Sequence, residues 1–336
     1  MQEPGTLRRW QLPQLGRAHL EQAEAPLPTP GMGQILVRVG AVSLNYRDLL
    51  MIRDGMGMRL DLPFTPGSDM AGTVVAAGPG VNRFAVGDRV VNTFWGGWID
   101  SHWHDDAVLA GGPGPGMLAS HVLIDAAWAV AAPATLSLAE ASTLPCAGLT
   151  AWFALAETGA LRAGETVLIH GTGGVALFGL QLARLHGAQA IVVTGSEDKR
   201  EQALALGASH ALLRGSDWPA EVRRLTHGRG ADHVLELASG PNLDRSLQAV
   251  KQGGRVSVIG MLGGETLSAS FYAMVLGRAT VQGIGVGHRR ALEDLVRAVD
   301  ANALKPAIAG RYGFDELPAA LDHLERGAFG KIVVTL

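Results

Sequence analysis

A single cysteine, Cys146, stands in the 336 residues, so an intramolecular disulfide is impossible and a multi-cysteine zinc site is excluded. Charge of one sign is also lacking. The formal net charge is −3 and the isoelectric point is near 6.4, which leaves no electrostatic footprint for nucleic acid or an anionic membrane. No run approaches the roughly 18 apolar residues of a membrane span, and the opening MQEPGTLRRWQLPQL has no apolar h-region of a secretory signal. Internal repeats and low-complexity segments are absent as well. The expectation is a cytoplasmic protein that acts on a small-molecule substrate, with neither nucleic acid nor membrane as partner. What is present fits that class. Hydrophobic residues make up 47% and charged residues 18% of the chain, as in a globular α/β protein, and the length suffices for two domains.

The most informative stretch is VLIHGTGGVALFGLQLARLHGAQAIVVTGSEDKR, residues 167 to 200. Val167, Leu168 and Ile169 form a short apolar run of the kind expected for a parallel strand covered on both faces. Gly171, Gly173 and Gly174 then supply a turn, and Val175, Leu177, Phe178, Leu180, Leu182 and Leu185 supply the buried face of a helix. A second strand follows from Ala190 to Thr194. Glycines at this turn let a pyrophosphate approach bare N–H groups at a helix N-terminus. Ala176 stands where a third glycine is usual, so the strand-turn-helix-strand context carries the dinucleotide reading.

NAD binders place a carboxylate about 20 residues past the glycines to hold the ribose 2′-OH. Here the second strand ends in Val193, Thr194, Gly195 and Ser196, with no carboxylate at the tip. Ser196 suits a 2′-phosphate, and Lys199 and Arg200 follow within a turn, which favours NADP(H). The competing reading is a helix that begins at Glu197 and exposes Lys199 and Arg200 to solvent.

Residues 1 to 130 read as a β-rich domain, with strands at 35–39, 72–77, 89–91 and 121–124. The Gly-, Pro- and Trp-rich segment from Asn92 to Ser120 reads as a long surface loop. Residues 131 to 267 alternate helices and strands as a dinucleotide-binding domain. Residues 268 to 336 finish that domain with a strand at 280–284 and return to the first, through helices at 290–300 and 317–326 and a last strand at 331–336. Six parallel strands are expected in the inserted part. An insertion of this kind suggests a cleft in which a nicotinamide meets its substrate.

Several stretches together resemble the medium-chain dehydrogenase/reductase superfamily over nearly the whole chain: SLNYRDLLMIRDG at 43–55, PFTPGSDMAGTVVAAGPGV at 63–81, FAVGDRVV at 84–91, LPCAGLTAWFAL at 144–155, GTGGVALFGLQLA at 171–183, GGRVSVIGMLGG at 253–264 and FGKIVV at 329–334. The resemblance implies an α/β chain in which a GroES-like β-rich catalytic domain carries an inserted Rossmann domain with a doubly wound parallel sheet. Within the superfamily the chain looks like the zinc-free, quinone-oxidoreductase-like branch. Zinc alcohol dehydrogenases of the superfamily hold the catalytic metal with Cys, His and Cys beside a Glu; the matching positions here are Asn45, Ser68, Cys146 and Asp69. An amide and a hydroxyl are poor zinc ligands, and Asn92 to Ser120 lacks the cysteines of a structural zinc lobe, so no metal is expected. His102, His104, Asp105 and Asp106 offer imidazoles and carboxylates in one short run, which reads as a solvated loop.

The resemblance also places residues around a cofactor. Thr150 matches a position near the nicotinamide ribose, Gly260 and Met261 a backbone segment beside the nicotinamide, and Gly285 and Lys331 later cofactor contacts. Arg214 is either an adenine-stacking side chain or a solvated loop arginine. Without a metal to lower an alkoxide pKa, reduction of an activated acceptor is the favoured chemistry, since hydrogen-bond donors suffice for the charge that collects on its oxygen. Asn45 is either that donor or the cap of a helix that begins near Arg47; Tyr46 either donates its phenol or packs. Asp48 and Arg53 are expected to form an ion pair or cap, and His170 and His288 to be structural. The expected activity is NADPH-dependent, zinc-independent reduction of quinones or of C=C bonds conjugated to a carbonyl. The alternatives are an enoyl-thioester reductase, a zinc-less alcohol dehydrogenase homologue, or an NADPH-binding sensor or structural protein with negligible turnover. The 280–284 strand matches the one that pairs across subunits in the superfamily, so a homodimer is expected.

Overall fold

The computed structural model describes residues 5–101, 103 and 105–336; His102 and His104 of the imidazole-rich run lie outside them. Two compact units result: the described residues of Met1–Leu149 with Gly287–Leu336, and Thr150–Val286. The first unit therefore keeps residues 131–149, beyond the boundary at 130 read from composition. Its additional segment, with the helix Leu138–Ala141 capped by Ser137 and Glu140, packs Ala139 against Ala41 and Val333.

The first unit is built on a seven-stranded sheet in the spatial order Ile308–Gly313, Lys331–Thr335, Gln34–Leu44, Asp69–Ala77, Arg89–Asn92 and Ala129–Ala131, with His121–Asp125 paired to Gln34–Leu44. The strand QILVRVGAVSL is the hub. Its first half pairs with His121–Asp125 and its second half with Lys331–Thr335, while Asp69–Ala77 runs along the other side. Ile35, Val37, Val39, Val42 and Leu44 are buried with Met70, Val74, Ile332 and Val334 in one core. That arrangement places the C-terminal end of the hub, Leu44–Asn45, beside Lys331 and Ser68.

The second unit is a six-stranded parallel sheet. Its strands are β1 (Thr166–His170), β2 (Gln189–Thr194), β3 (His210–Leu213), β4 (Ala231–Glu236), β5 (Val250–Val258) and β6 (Thr280–Gly283). The spatial order, β3-β2-β1-β4-β5-β6, is that of a doubly wound dinucleotide fold, whose switch point falls between β1 and β4. All five residues of β1 are buried, as a strand covered on both faces must be. The helix Phe271–Gly277 has no counterpart in the sequence reading, and none of its residues is buried.

The segment from Asn92 to Ser120 departs from the expected surface loop. It carries a short hairpin, Trp95–Gly96 with Val108–Leu109, and buries Phe94, Leu109, Ala110, Met117 and Leu118. Its glycines allow close backbone approach rather than mobility: a Cβ at Gly116 would collide with the Thr65 carbonyl. Trp95 and Trp98 each stack edge-on against Trp103, at 5.1 and 5.2 Å. No helix among the described residues is long and apolar enough to cross a membrane.

Candidate active site

In the first unit a polar cluster forms where the hub strand ends. Asn45 holds the N-cap position of the helix Tyr46–Asp54, with extended backbone. Asp48 accepts the Asn45 N–H at 2.7 Å, and the Asp48 N–H goes to the Asn45 carbonyl at 2.9 Å. The Asn45 side chain is thereby released from capping. Its Oδ1 accepts from Lys331 Nζ at 2.5 Å, and its Nδ2 donates to Ser68 Oγ at 3.2 Å. Ser68 Oγ donates to Asp69 Oδ1 at 2.7 Å, and the second Asp69 oxygen accepts the Cys146 N–H at 3.0 Å. Of the two sequence readings of Asn45, the backbone realises the cap while the side chain belongs to the cluster.

Charge in this cluster is balanced internally. Arg47 reaches Asp48 at 3.2 Å and ties it to the Ala110 and Gly111 carbonyls, with its guanidinium over Phe94. Burial pushes the Asp48 carboxyl up from 3.8 to about 6, against the pull of Arg47 and of the Asn45 N–H. Burial likewise raises Asp69, opposed first by the Lys331 charge. Desolvation and the Asp69 charge raise the Cys146 thiol, which makes it a poor nucleophile. Asp48 therefore pairs with Arg47, not with Arg53, whose partner is Asp54 at 2.8 Å. Tyr46 does not pack: it is 44% exposed, because it occupies the outward face of the first helical turn.

The donor set does not fit zinc. One thiol stands with an amide already shared by Lys331 and Ser68 and a hydroxyl already bonded to Asp69, whereas Zn²⁺ takes about four sulfur, imidazole or carboxylate ligands. An ammonium within hydrogen-bonding reach of Asn45 adds repulsion to any divalent cation. Among the described residues no group of three His, Cys, Asp or Glu is arranged to hold a metal.

The second unit fits a dinucleotide. Gly171 has φ +84°, a left-handed backbone that favours glycine, and Gly173 caps the helix Gly174–Leu185. The space above Gly171 and Gly173 is open, with no atom within 4 Å of where a Cβ would stand, so a phosphate can meet the backbone there. Val175 follows half-buried in the first turn. At the tip of β2, Ser196 caps the helix Glu197–Ala205 by accepting from the Lys199 N–H at 3.4 Å. Arg200 pairs with Glu197 at 2.5 Å. The guanidinium lying against the strand tip is that of Arg214: a Cβ at Gly195 would stand 3.1 Å from its Nη2.

Sequence reasoning missed the carboxylate that braces this end of the sheet. Glu236, fully buried at the end of β4, accepts from the Ala238 and Ser239 N–H groups, both at 2.9 Å, from Asn242 Nδ2 and from Ser246 Oγ. Ser246 in turn meets His170 Nε2 at 3.0 Å, and burial lowers the His170 pKa. All three are buried and Ser246 faces the carboxylate, so the trio is a brace rather than a nucleophilic triad. Ser239 Oγ then reaches the Gly260 carbonyl, and Gly260 must be glycine because a Cβ would collide with the Leu237 carbonyl. The only available signal is the Glu that closes the strand ADHVLE.

The remaining residues implied by resemblance divide between the units. Thr150, 2% exposed, and Met261, 36% exposed, belong to the second unit with Gly285. Lys331 belongs to the first: it is 4% exposed, and its ammonium is held by the Leu44 carbonyl at 2.6 Å and by Asn45. His288 caps the helix Arg289–Asn302, accepting the Ala291 N–H on Nδ1 at 3.0 Å.

Residues 31–134 match the alcohol dehydrogenase GroES-like domain, and residues 174–301 match the zinc-binding dehydrogenase family. A zinc-type alcohol dehydrogenase-like protein of Schizosaccharomyces pombe is 34% identical over 90% of this chain and 91% of its own. The quinone oxidoreductase of Sus scrofa is 28% identical over 94% of this chain and 93% of its own. A solved structure from Sinorhizobium meliloti 1021, described as a candidate alcohol dehydrogenase, superposes with a TM-score of 0.97 at 50% identity, covering 100% of both chains. With the parallel sheet, its glycine turn and the GroES-like sheet in place, the chain belongs to the medium-chain dehydrogenase/reductase superfamily and is an NAD(P)H-dependent oxidoreductase.

Proposed function

We propose that the protein is a zinc-independent, NADPH-dependent reductase of quinones or of C=C bonds conjugated to a carbonyl. The observation that carries this reading is the donor set around Asn45, whose members bond one another and leave no set of ligands for zinc. Without a Lewis acid, alcohol oxidation loses its means of stabilising an alkoxide. An activated acceptor needs only donors near the oxygen on which charge collects. Bound NADPH supplies the hydride. Gly171, Gly173 and Gly174 seat the pyrophosphate, and Arg214 at the tip of β2 favours a 2′-phosphate over a bare hydroxyl. Asn45 contributes its amide to the acceptor oxygen, the exposed Tyr46 phenol is a second donor, and the completing proton comes from Tyr46 or water. Similarity to a quinone oxidoreductase supports the acceptor class. A cytoplasmic location accords with this chemistry.

The test is a fluorescence titration that compares NADPH with NADH, followed by an acceptor screen after exhaustive chelation. Tighter NADPH binding and steady NADPH consumption with a quinone or enone are expected. Tight NADPH binding with no turnover on a broad panel would instead identify a sensor, and activity that chelation abolishes would restore the metal.

A further inference from the structure

The Asn45 cluster joins a buried cation to a buried carboxylate through two neutral side chains. Lys331, 4% exposed, gives hydrogens to the Leu44 carbonyl and to Asn45 Oδ1, at 2.6 and 2.5 Å. The Asn45 amide passes a hydrogen to Ser68 at 3.2 Å, and Ser68 passes its own to Asp69 at 2.7 Å. Asp69 is fully buried, so as a lone anion it would carry a large desolvation penalty. The other carboxylate of the cluster, Asp48, has its own cation in Arg47 at 3.2 Å. Lys331 is therefore the charge left for Asp69, and the two interact electrostatically across the Asn45–Ser68 relay. Asn45, Ser68 and Asp69 occupy the places where zinc members of the superfamily set two metal ligands and the neighbouring acid; Lys331 reaches them from the last strand.

We propose that Lys331 is the resident cation of this cluster, a positioning residue that neutralises Asp69 and fixes the Asn45 amide where zinc-dependent relatives use a metal ion. The inference rests on the zinc-independent part of the proposed function. A purely structural lysine, capping the end of the hub strand through the Leu44 carbonyl, would act without regard to Asp69.

The two roles separate in a charge cycle on the full chain, read by thermal unfolding without cofactor or acceptor. Lys331→Met keeps much of the stem and removes the charge, and its Tm falls by roughly 5–10 °C because Asp69 is left alone. Adding Asp69→Asn restores at least half of that loss, since neither charge is then unpaired. Losses of the two single variants that simply add in the double variant would overturn the proposal. Should Lys331→Met prove insoluble, soluble double variant supports it, and an insoluble double variant beside a folded Asp69→Asn overturns it. A second arm loads the protein with Zn²⁺, desalts it and measures retained metal. Stoichiometric zinc kept by the wild type and lost with Asp69→Asn would also overturn the assignment. Neither readout depends on turnover, so failure to find an acceptor leaves the result intact.

Discussion

Asp48 shows how a single buried carboxyl links the site to pH. Its folded pKa, raised by burial to about 6 from 3.8, means that protonation favours the folded state. The stability it contributes is complete below about pH 3.8 and is lost as the pH rises through about 6, a linkage on the order of 3 kcal/mol. Asp48→Asn removes the titration, so between pH 4.5 and 7 the variant should lose less stability, or gain more, than the wild type in urea unfolding; parallel profiles would refute the assignment. Arg214 permits a second test at this scale. Arg214→Ala should weaken NADPH binding roughly tenfold or more while changing NADH binding little, since one charge-assisted contact to a phosphate is removed. Equal losses for both cofactors would place Arg214 elsewhere, for example on the adenine.

At the scale of elements, the glycines of the second unit divide into two kinds. Gly173, with ordinary φ and open space around it, is free to accept a methyl group without strain. Gly173→Ala should leave unfolding within about 0.5 kcal/mol of wild type and still weaken NADPH binding, because the methyl stands where the pyrophosphate approaches. Gly260 packs against the Leu237 carbonyl at the ends of β4 and β5, so Gly260→Ala should lose about 2–3 kcal/mol of stability by overpacking. Calorimetry of both variants distinguishes a ligand-facing glycine from a packing one. The sequence displayed GTGG and SVIGMLGG as similar glycine-rich turns; only the strand ends brought together in the sheet separate their roles. Likewise the Glu236 brace spans β4, the helix Asn242–Ala249 and β1, and its partners lie up to 76 residues apart, beyond the reach of any local pattern.

At the scale of the whole molecule, one surface is suited to self-association. β6 is the edge of the parallel sheet, and beside it the helix Phe271–Gly277 exposes Phe271 at 68%, Tyr272 at 71% and Leu276 at 70%. An apolar surface next to an unpaired strand edge is what self-association conceals. We propose a homodimer in which the edges of two copies pair. Light scattering should give twice 35.1 kDa for the wild type and a single-chain mass for Leu276→Glu; a wild-type monomer at micromolar concentration would dispose of the dimer.

Local chemistry by itself determined much of this protein. Apolar runs, glycine turns and caps follow from near-neighbour preferences, so the six strands of the Rossmann sheet, the turn at Gly171–Gly174 and the poor zinc ligands at Asn45 and Ser68 are all legible in order along the chain. The tertiary structure decided what depends on distant partners. It turned the Asn45 side chain away from its helix, brought Lys331 across 286 residues to meet it, buried both ends of the Asn92–Ser120 segment and set Arg214 at the tip of β2. The physical reason is that a strand or a turn answers to its neighbours in sequence, whereas the partner of a buried charge is chosen by which strand ends the sheets bring together.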